Sequence, residues 1–132
     1  DFSEKDPVID PIQRLKDLFM AGKMDEVEKE AKGMIGNPKY RYIEFETKIN
    51  DAGYNLLNGK QTEGAIFIFQ LNTRLFPKSA NAWDSFAEAN WKAKKKDKAI
   101  EYYNKAIELD PHGVTGENAR NMLKQIQAEK EN

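Results

Sequence analysis

Apolar residues recur along the chain at the three- and four-residue spacing of amphipathic helices, in stretches that end near Gly or Pro. The first stretch runs from Ile12 to Phe19 and is broken by Gly22. Further helices are predicted to begin near Asp25, Tyr42, Thr62, Ser79, Asp97 and Thr115. Nowhere does the sequence alternate between apolar and polar residues as a strand would. The pattern therefore predicts an all-α protein of about seven helices.

Short polar side chains at helix starts accept hydrogen bonds from the free N–H groups of the first turn. On this basis the sequence predicts N-caps for the second, fourth, fifth and sixth helices at Asp25, Thr62, Ser79 and Asp97. The run Gly36-Asn37-Pro38 is predicted to end the second helix, with a left-handed cap followed by a residue that cannot continue a helix.

Two stretches superimpose without a gap at an offset of 34 residues, which pairs Ile49 with Trp83, Gly53 with Ala87, Ala65 with Ala99, Phe69 with Tyr103 and Pro77 with Pro111. Antiparallel helices approach closely only where side chains are small, so Ala87 is expected to face Ala99. Each hairpin leaves one apolar face that a neighbour must cover. The sequence thus predicts one domain over residues 1–132, with a degenerate hairpin at 9–37, repeats at 46–79 and 80–113, and a capping helix at 114–128.

The second repeat resembles a tetratricopeptide repeat at its large and small positions, namely Trp83, Phe86, Ala87, Ala99, Tyr103, Ala106 and Pro111. It departs from that pattern at Asn90, and the first repeat departs at Ala52 and Asn72. The resemblance implies antiparallel hairpins stacked as a short right-handed superhelix. It also implies a non-catalytic module that binds other proteins.

Residues 45–112 also resemble the tetratricopeptide-type C-terminal extension of bacterial serine hydrolases, both β-lactamase-like and esterase-like, through the runs 53–60 and 71–85. This resemblance implies that the chain is a C-terminal piece of a larger bacterial protein with a hydrolase domain upstream. The compartment would be the periplasm or the cell exterior if that protein is secreted, and the cytoplasm otherwise. Neither Ser-x-x-Lys nor Gly-x-Ser-x-Gly occurs in this chain, so no hydrolase activity is predicted for it.

The composition does not point to nucleic acid or membrane partners. With 21 basic and 22 acidic residues the formal charge is −1, which creates no field that would recruit a polyanion. No apolar run reaches the roughly 20 residues of a membrane-spanning helix. The absence of cysteine excludes disulfides, thiolate catalysis and cysteine zinc sites.

Isolated motifs have ordinary structural interpretations. The lysine-rich run 92–98 is predicted to be a solvated turn rather than a nucleic-acid contact, and His112 a surface turn residue. The acidic residues after Asp25 lack the spacing of a calcium loop. Gly113 and Gly116 do not follow a strand, as a phosphate loop requires. We therefore predict no catalytic residue, metal site or cofactor.

The tetratricopeptide resemblance implies a groove for a protein or peptide, lined by Asn50, Tyr54, Leu57, Asp84, Glu88 and Trp91. Thr47, Asp51, Asn58, Asn81, Ser85 and Lys92 would share that face. In this interpretation Tyr54, Leu57 and Trp91 supply contact area, and the polar side chains bond the peptide backbone. In the alternative interpretation Leu57 and Trp91 pack against a neighbouring hairpin or an upstream domain.

One subtype of the family holds a peptide carboxylate with Lys, Asn and Arg side chains. At the matching positions this chain has Asn50, Tyr54, Asp84 and Glu88. Acids stand where that clamp needs cations, so the clamp is rejected and an apolar, basic partner is expected. The partner could also be the parent protein's own upstream domain. The remaining hypothesis is a structural module for dimerisation or spacing.

Overall fold

A computed structural model of the protein describes residues 10–130, and it contains seven α-helices in that range. They are α1 (Pro11–Met20), α2 (Met24–Ile35), α3 (Phe45–Asn58), α4 (Thr62–Leu75), α5 (Ala80–Lys92), α6 (Lys96–Leu109) and α7 (Val114–Lys130). A 3₁₀ turn covers Pro38–Tyr40, and no strand occurs among the described residues. The all-α prediction of about seven helices is confirmed. Over the same range, none of the helices combines the length and apolarity needed to cross a membrane.

The chain divides into two compact units, Asp1–Phe45 and Glu46–Asn132. In the first unit α1 packs against α2, and the buried residues of the two helices are Pro11, Leu15, Leu18, Val27 and Ala31. Arg14 Nε donates to Glu30 Oε1 across the pair at 3.4 Å. The hairpin predicted at 9–37 begins one residue before the described range.

The second unit contains both repeats and α7, and two apolar clusters of its described residues lie in the core. One consists of Leu57, Ala65, Phe69, Phe86 and Ala89. The other consists of Ala87, Ala99, Tyr103, Ala106, Ala119 and Ile126. Ala87 and Ala99 are both fully buried in the same cluster, as the close-approach argument requires. The last helix contributes Ala119 and Ile126, so α7 covers apolar surface of the second repeat.

Glu46, near the start of α3, is tied to the helices that follow it. The side-chain amide of Asn72 donates to the Glu46 carbonyl at 3.0 Å, and the Ser79 hydroxyl donates to the Glu46 carboxylate. Asn72 is fully buried at a position where the repeat pattern has Ala. This departure from the pattern therefore anchors the start of the first repeat.

Only one of the four predicted N-caps forms. Ser79 Oγ accepts from the Ala82 N–H at 3.1 Å and caps α5, as predicted. Helices α2, α4 and α6 instead have Lys23, Gln61 and Lys95 at the N-cap, without a side-chain cap bond. The predicted caps Asp25, Thr62 and Asp97 all lie inside the first turn. Each of these N-cap residues has non-helical backbone angles, with φ between −92° and −95° and ψ between 63° and 71°, so the helices begin one or two residues earlier than predicted. An acid in the first turn is still favoured by the helix dipole.

Two further boundaries differ from the prediction. Gly36 has φ −81°, so it is not a left-handed cap. Asn37 instead caps the 3₁₀ turn, its side chain accepting from the Lys39 N–H at 2.9 Å. Residues 41–44, which follow this turn, are not helical, so α3 begins at Phe45 rather than near Tyr42.

The 34-residue period extends to the turns inside the repeats. Lys60 has φ 64° and Lys94 has φ 67°. They stand at equivalent positions, in the turns between α3 and α4 and between α5 and α6. A left-handed conformation is unusual for lysine, so both turns keep the same backbone path despite lacking glycine at that position.

Candidate functional site

The first helices of successive hairpins place residues 34 positions apart on one face, and the period continues into α7. One row of this face contains Asn50, Asp84 and Asn118; the next contains Tyr54, Glu88 and Met122; the third contains Leu57, Trp91 and Gln125. We call these nine residues the α3–α5–α7 face. Six of them are the groove residues predicted from the sequence.

Two hydrogen bonds between side chains connect the three helices across this face. Tyr54 Oη donates to Glu88 Oε1 at 2.7 Å, which joins α3 to α5. Asn118 Nδ2 lies 3.1 and 3.2 Å from the two carboxylate oxygens of Asp84 and joins α7 to α5. Each bond links residues that occupy the same position of the repeat. The polar side chains of the face are therefore held in place by their neighbours.

The face is electrostatically negative. Asp84 is only 8% exposed, and burial raises the pKa of its carboxyl to about 6, an effect opposed by the Asn118 amide and reinforced by Glu88. Burial, followed by the nearby carboxylates, raises the pKa of Tyr103 well above its usual range. Among the described residues, neither Asp84 nor Glu88 has a cation within ion-pair distance.

The predicted site residues differ in how much surface they offer. Leu57 is 7% exposed and belongs to the core cluster with Phe69, so its interhelical packing matches the alternative interpretation for that residue. Tyr54 and Trp91 are half-buried and each keeps part of its ring accessible. The Oδ1 atom of Asn50 is buried and has no hydrogen-bond donor in the described part of the chain.

Three residues of the face, Asn118, Met122 and Gln125, were absent from the sequence prediction of the groove. The prediction treated α7 only as a cap and stopped counting the repeat at Gly113. Extending the 34-residue period from Asp84, Glu88 and Trp91 by one repeat would have found all three. The signal was therefore present, although the apolar consensus positions of the repeat are lost in this helix.

The other motifs lie at turns. The lysine-rich run spans the end of α5 and the start of α6, where Lys95 Nζ is 3.2 Å from Glu63 Oε1. His112 is exposed in the segment before α7. The N–H of Gly116 donates to Asp110 Oδ2 at 3.3 Å, so these glycines belong to a local turn.

A second surface, which the sequence did not predict, lies between α4 and α6. It is an open groove of about 560 Å³ whose aromatic residues are Trp83, Phe86 and Tyr102. The rings of Phe86 and Tyr102 stack with centroids 4.3 Å apart, and the Trp83 indole N–H donates to the Pro77 carbonyl. We call it the α4–α6 groove. Glu101 and Lys105 are among its polar residues, so it shows no charge preference.

These features define a class of protein: a stack of helical hairpins with a period of 34 residues, whose first helices share one polar and aromatic face. Residues 80–112 match the tetratricopeptide repeat family, and the fold is that of tetratricopeptide domains. A comparison with curated proteins found no match.

Several solved structures share the fold. The first tetratricopeptide domain of Spaghetti (RPAP3), bound to the HSP90 peptide SRMEEVD, is 21% identical with a TM-score of 0.59, over 92% of this chain and 91% of that one. MamA from Desulfovibrio magneticus RS-1 is 21% identical with a TM-score of 0.61, over 97% and 70%. PcrH, in complex with the chaperone binding region of PopD, is 17% identical with a TM-score of 0.59, over 91% and 90%.

Proposed function

We propose that the chain is a non-catalytic protein-interaction module that holds a peptide segment of a partner on the α3–α5–α7 face. The observation that carries this proposal is the pair of interhelical hydrogen bonds, Tyr54 to Glu88 and Asn118 to Asp84. They immobilise polar groups beside the partly exposed rings of Tyr54 and Trp91. A surface that is ordered before binding loses less conformational entropy when a partner docks.

Two of the similar structures support this proposal, because each contains a bound segment of another protein. The RPAP3 domain was solved with an HSP90 peptide, and PcrH with a segment of PopD. The peptide SRMEEVD contains three acidic side chains, whereas the face of this chain carries Asp84 and Glu88. An acidic peptide would be repelled here, so we propose a partner of different chemistry for this module.

A finer proposal concerns which protein supplies the docked segment. Because residues 45–112 resemble the extension of bacterial serine hydrolases, the segment that docks could belong to an upstream domain of the same protein. A second candidate function is a structural spacer or dimerisation module. The α4–α6 groove favours it, since the partly buried rings of Trp83 and Tyr102 offer apolar area away from the α3–α5–α7 face.

Peptide display on the purified chain tests the proposal. A random nonapeptide library is selected against the immobilised wild-type protein, and the enriched peptides are then measured against variants. We expect Tyr54→Ala combined with Trp91→Ala to abolish retention while the helical circular dichroism signal is kept. His112→Ala and Lys95→Ala are the controls and should retain the peptides.

The same selection separates the two candidate functions. If the double variant retained the peptides and Tyr102→Ala lost them, the α4–α6 groove would be the docking site and our assignment of the face would be wrong. If no peptide is enriched and sedimentation shows a dimer that Tyr102→Ala dissociates, the structural module replaces the peptide-binding one.

A further inference from the structure

The charge on the α3–α5–α7 face is unbalanced. Its nine residues include two carboxylates, Asp84 and Glu88, and no basic side chain. Lys92, which the sequence also places on this side of α5, is exposed and forms no ion pair with either acid in the described part of the chain. The two acids are four residues apart on α5, and like charges at this spacing destabilise a helix. Asp84 is also nearly buried, which makes its negative charge costly. The free module therefore keeps two negative charges together without a compensating cation.

A second observation on the same face points to a ligand that donates hydrogen bonds. Asn50 occupies the same row as Asp84 and Asn118, and its Oδ1 atom is a buried acceptor without a donor. Leaving a buried polar atom unpaired is energetically unfavourable. An ammonium or guanidinium group carries several N–H donors and a positive charge, and no acceptor. Such a group supplies the hydrogen-bond donors and the positive charge that this face lacks.

We infer that the segment docking on this face presents a lysine or arginine side chain to Glu88 and Asp84, flanked by apolar residues that contact Tyr54 and Trp91. This inference rests on the proposed peptide-binding function and specifies its partner. Glu88 is the more exposed of the two acids, so the cation meets it first, and Asp84 lies one helical turn earlier on α5. Charge-assisted hydrogen bonds of this kind are stronger than neutral ones.

The inference carries a pH dependence that a purely apolar contact would not show. The titratable groups around Asp84 are Glu88 on α5, Tyr54 on α3 and Tyr103 on α6, and Asn118 on α7 is its uncharged hydrogen-bond partner. Burial raises the pKa of Asp84 to about 6, while the tyrosines stay neutral across this range. The cation favours the ionised carboxylate, so affinity should fall as the pH is lowered from 7.5 to 5.

The test compares selections from the same nonapeptide library against four proteins: the wild type, Asp84→Asn, Glu88→Gln, and the two changes combined. Asp97→Asn is the matched control, since it removes an exposed carboxylate from the first turn of α6. We expect lysine or arginine to be enriched at one peptide position by the wild type and the control. The combined variant should lose that enrichment.

Fluorescence anisotropy on the enriched peptide then gives the magnitudes. Replacing its basic residue by norleucine should weaken binding at least tenfold to the wild type, and little to the combined variant. Lowering the pH from 7.5 to 5 should weaken binding severalfold to the wild type and less to Asp84→Asn.

The outcomes separate the inference from the function on which it rests. Enriched peptides without a common basic residue, or a basic preference that the combined variant keeps, would overturn the inference and leave peptide binding intact. Absence of any enriched peptide for the wild type would overturn both. Enrichment that survives Tyr54→Ala with Trp91→Ala would place the basic contact outside the α3–α5–α7 face and reject the inference.

Discussion

Gly53→Ala is the most direct test of the packing between α3 and α4. A Cβ atom on Gly53 would lie 2.6 Å from Cδ1 and 2.7 Å from Cζ of Phe69, inside van der Waals contact. Phe69 is fully buried, and its ring meets that of Tyr54 edge-on with centroids 4.9 Å apart. The ring therefore has little freedom to move away from an added methyl group.

The magnitude follows from two opposing terms. Overpacking a tight core costs about 1–3 kcal/mol, and the close overlap with a buried ring places this case near the upper end. Alanine gains about 1 kcal/mol over glycine in a helix interior. A net loss of about 2 kcal/mol in the free energy of unfolding is expected. In a domain of this size that lowers the melting temperature by about 7 °C.

Urea denaturation followed by circular dichroism measures the change. Asn55→Ala, an exposed substitution in the same helix, is the control and should alter stability by less than about 0.5 kcal/mol. Combining Gly53→Ala with Phe69→Leu should restore part of the loss, because the smaller side chain removes the overlap. If Gly53→Ala proved as stable as the wild type, the close approach of α3 and α4 would be refuted.

Three further changes probe the second repeat and its covering helix. Ala99→Leu should overpack the contact with Ala87 and lower the free energy of unfolding by about 1–3 kcal/mol. Lys95→Leu in the turn is the control and should change it by less than about 0.5 kcal/mol. Equal urea midpoints for the two variants would contradict the pairing of Ala87 with Ala99. Asp84→Asn should stabilise the protein by up to about 3 kcal/mol at pH 7.5, because a carboxyl whose folded pKa is raised from 3.8 to about 6 destabilises the fold when ionised. That gain should vanish towards pH 4, and a gain independent of pH would exclude burial of the charge as its cause. Truncation after Gly113 removes Ala119 and Ile126 from the core, so the shortened chain should aggregate or unfold without cooperativity; a monomer that melts as sharply as the intact chain would show that α7 is dispensable.

Sequence rules correctly predicted the features that depend on one helix face packing against another. The spacing of apolar residues predicts seven helices, and the 34-residue period pairs Ala87 with Ala99 in one buried cluster. They failed at three helix starts: Asp25, Thr62 and Asp97 are reasonable caps in isolation, yet each of these helices begins one or two residues before the predicted position. A cap depends on the path of the preceding turn, which neighbouring helices impose.

The sequence was enough to predict which residues share the face of the candidate site, but not which of them form hydrogen bonds. The repeat pattern alone places Tyr54, Asp84 and Glu88 on one face, because helical geometry fixes which residues share a side. Only the tertiary structure brings Asn118 against Asp84 and the Tyr54 hydroxyl against Glu88.

The burial of Asp84 likewise depends on how three helices stack. The free energy of a charge depends on how much water its neighbours exclude, and those neighbours come from helices 34 residues away in either direction. The sequence by itself determined the helices, their period and the residues of the face. The packing of α3, α5 and α7 decided which of these residues are buried, which are bonded, and which carboxylate titrates near neutral pH.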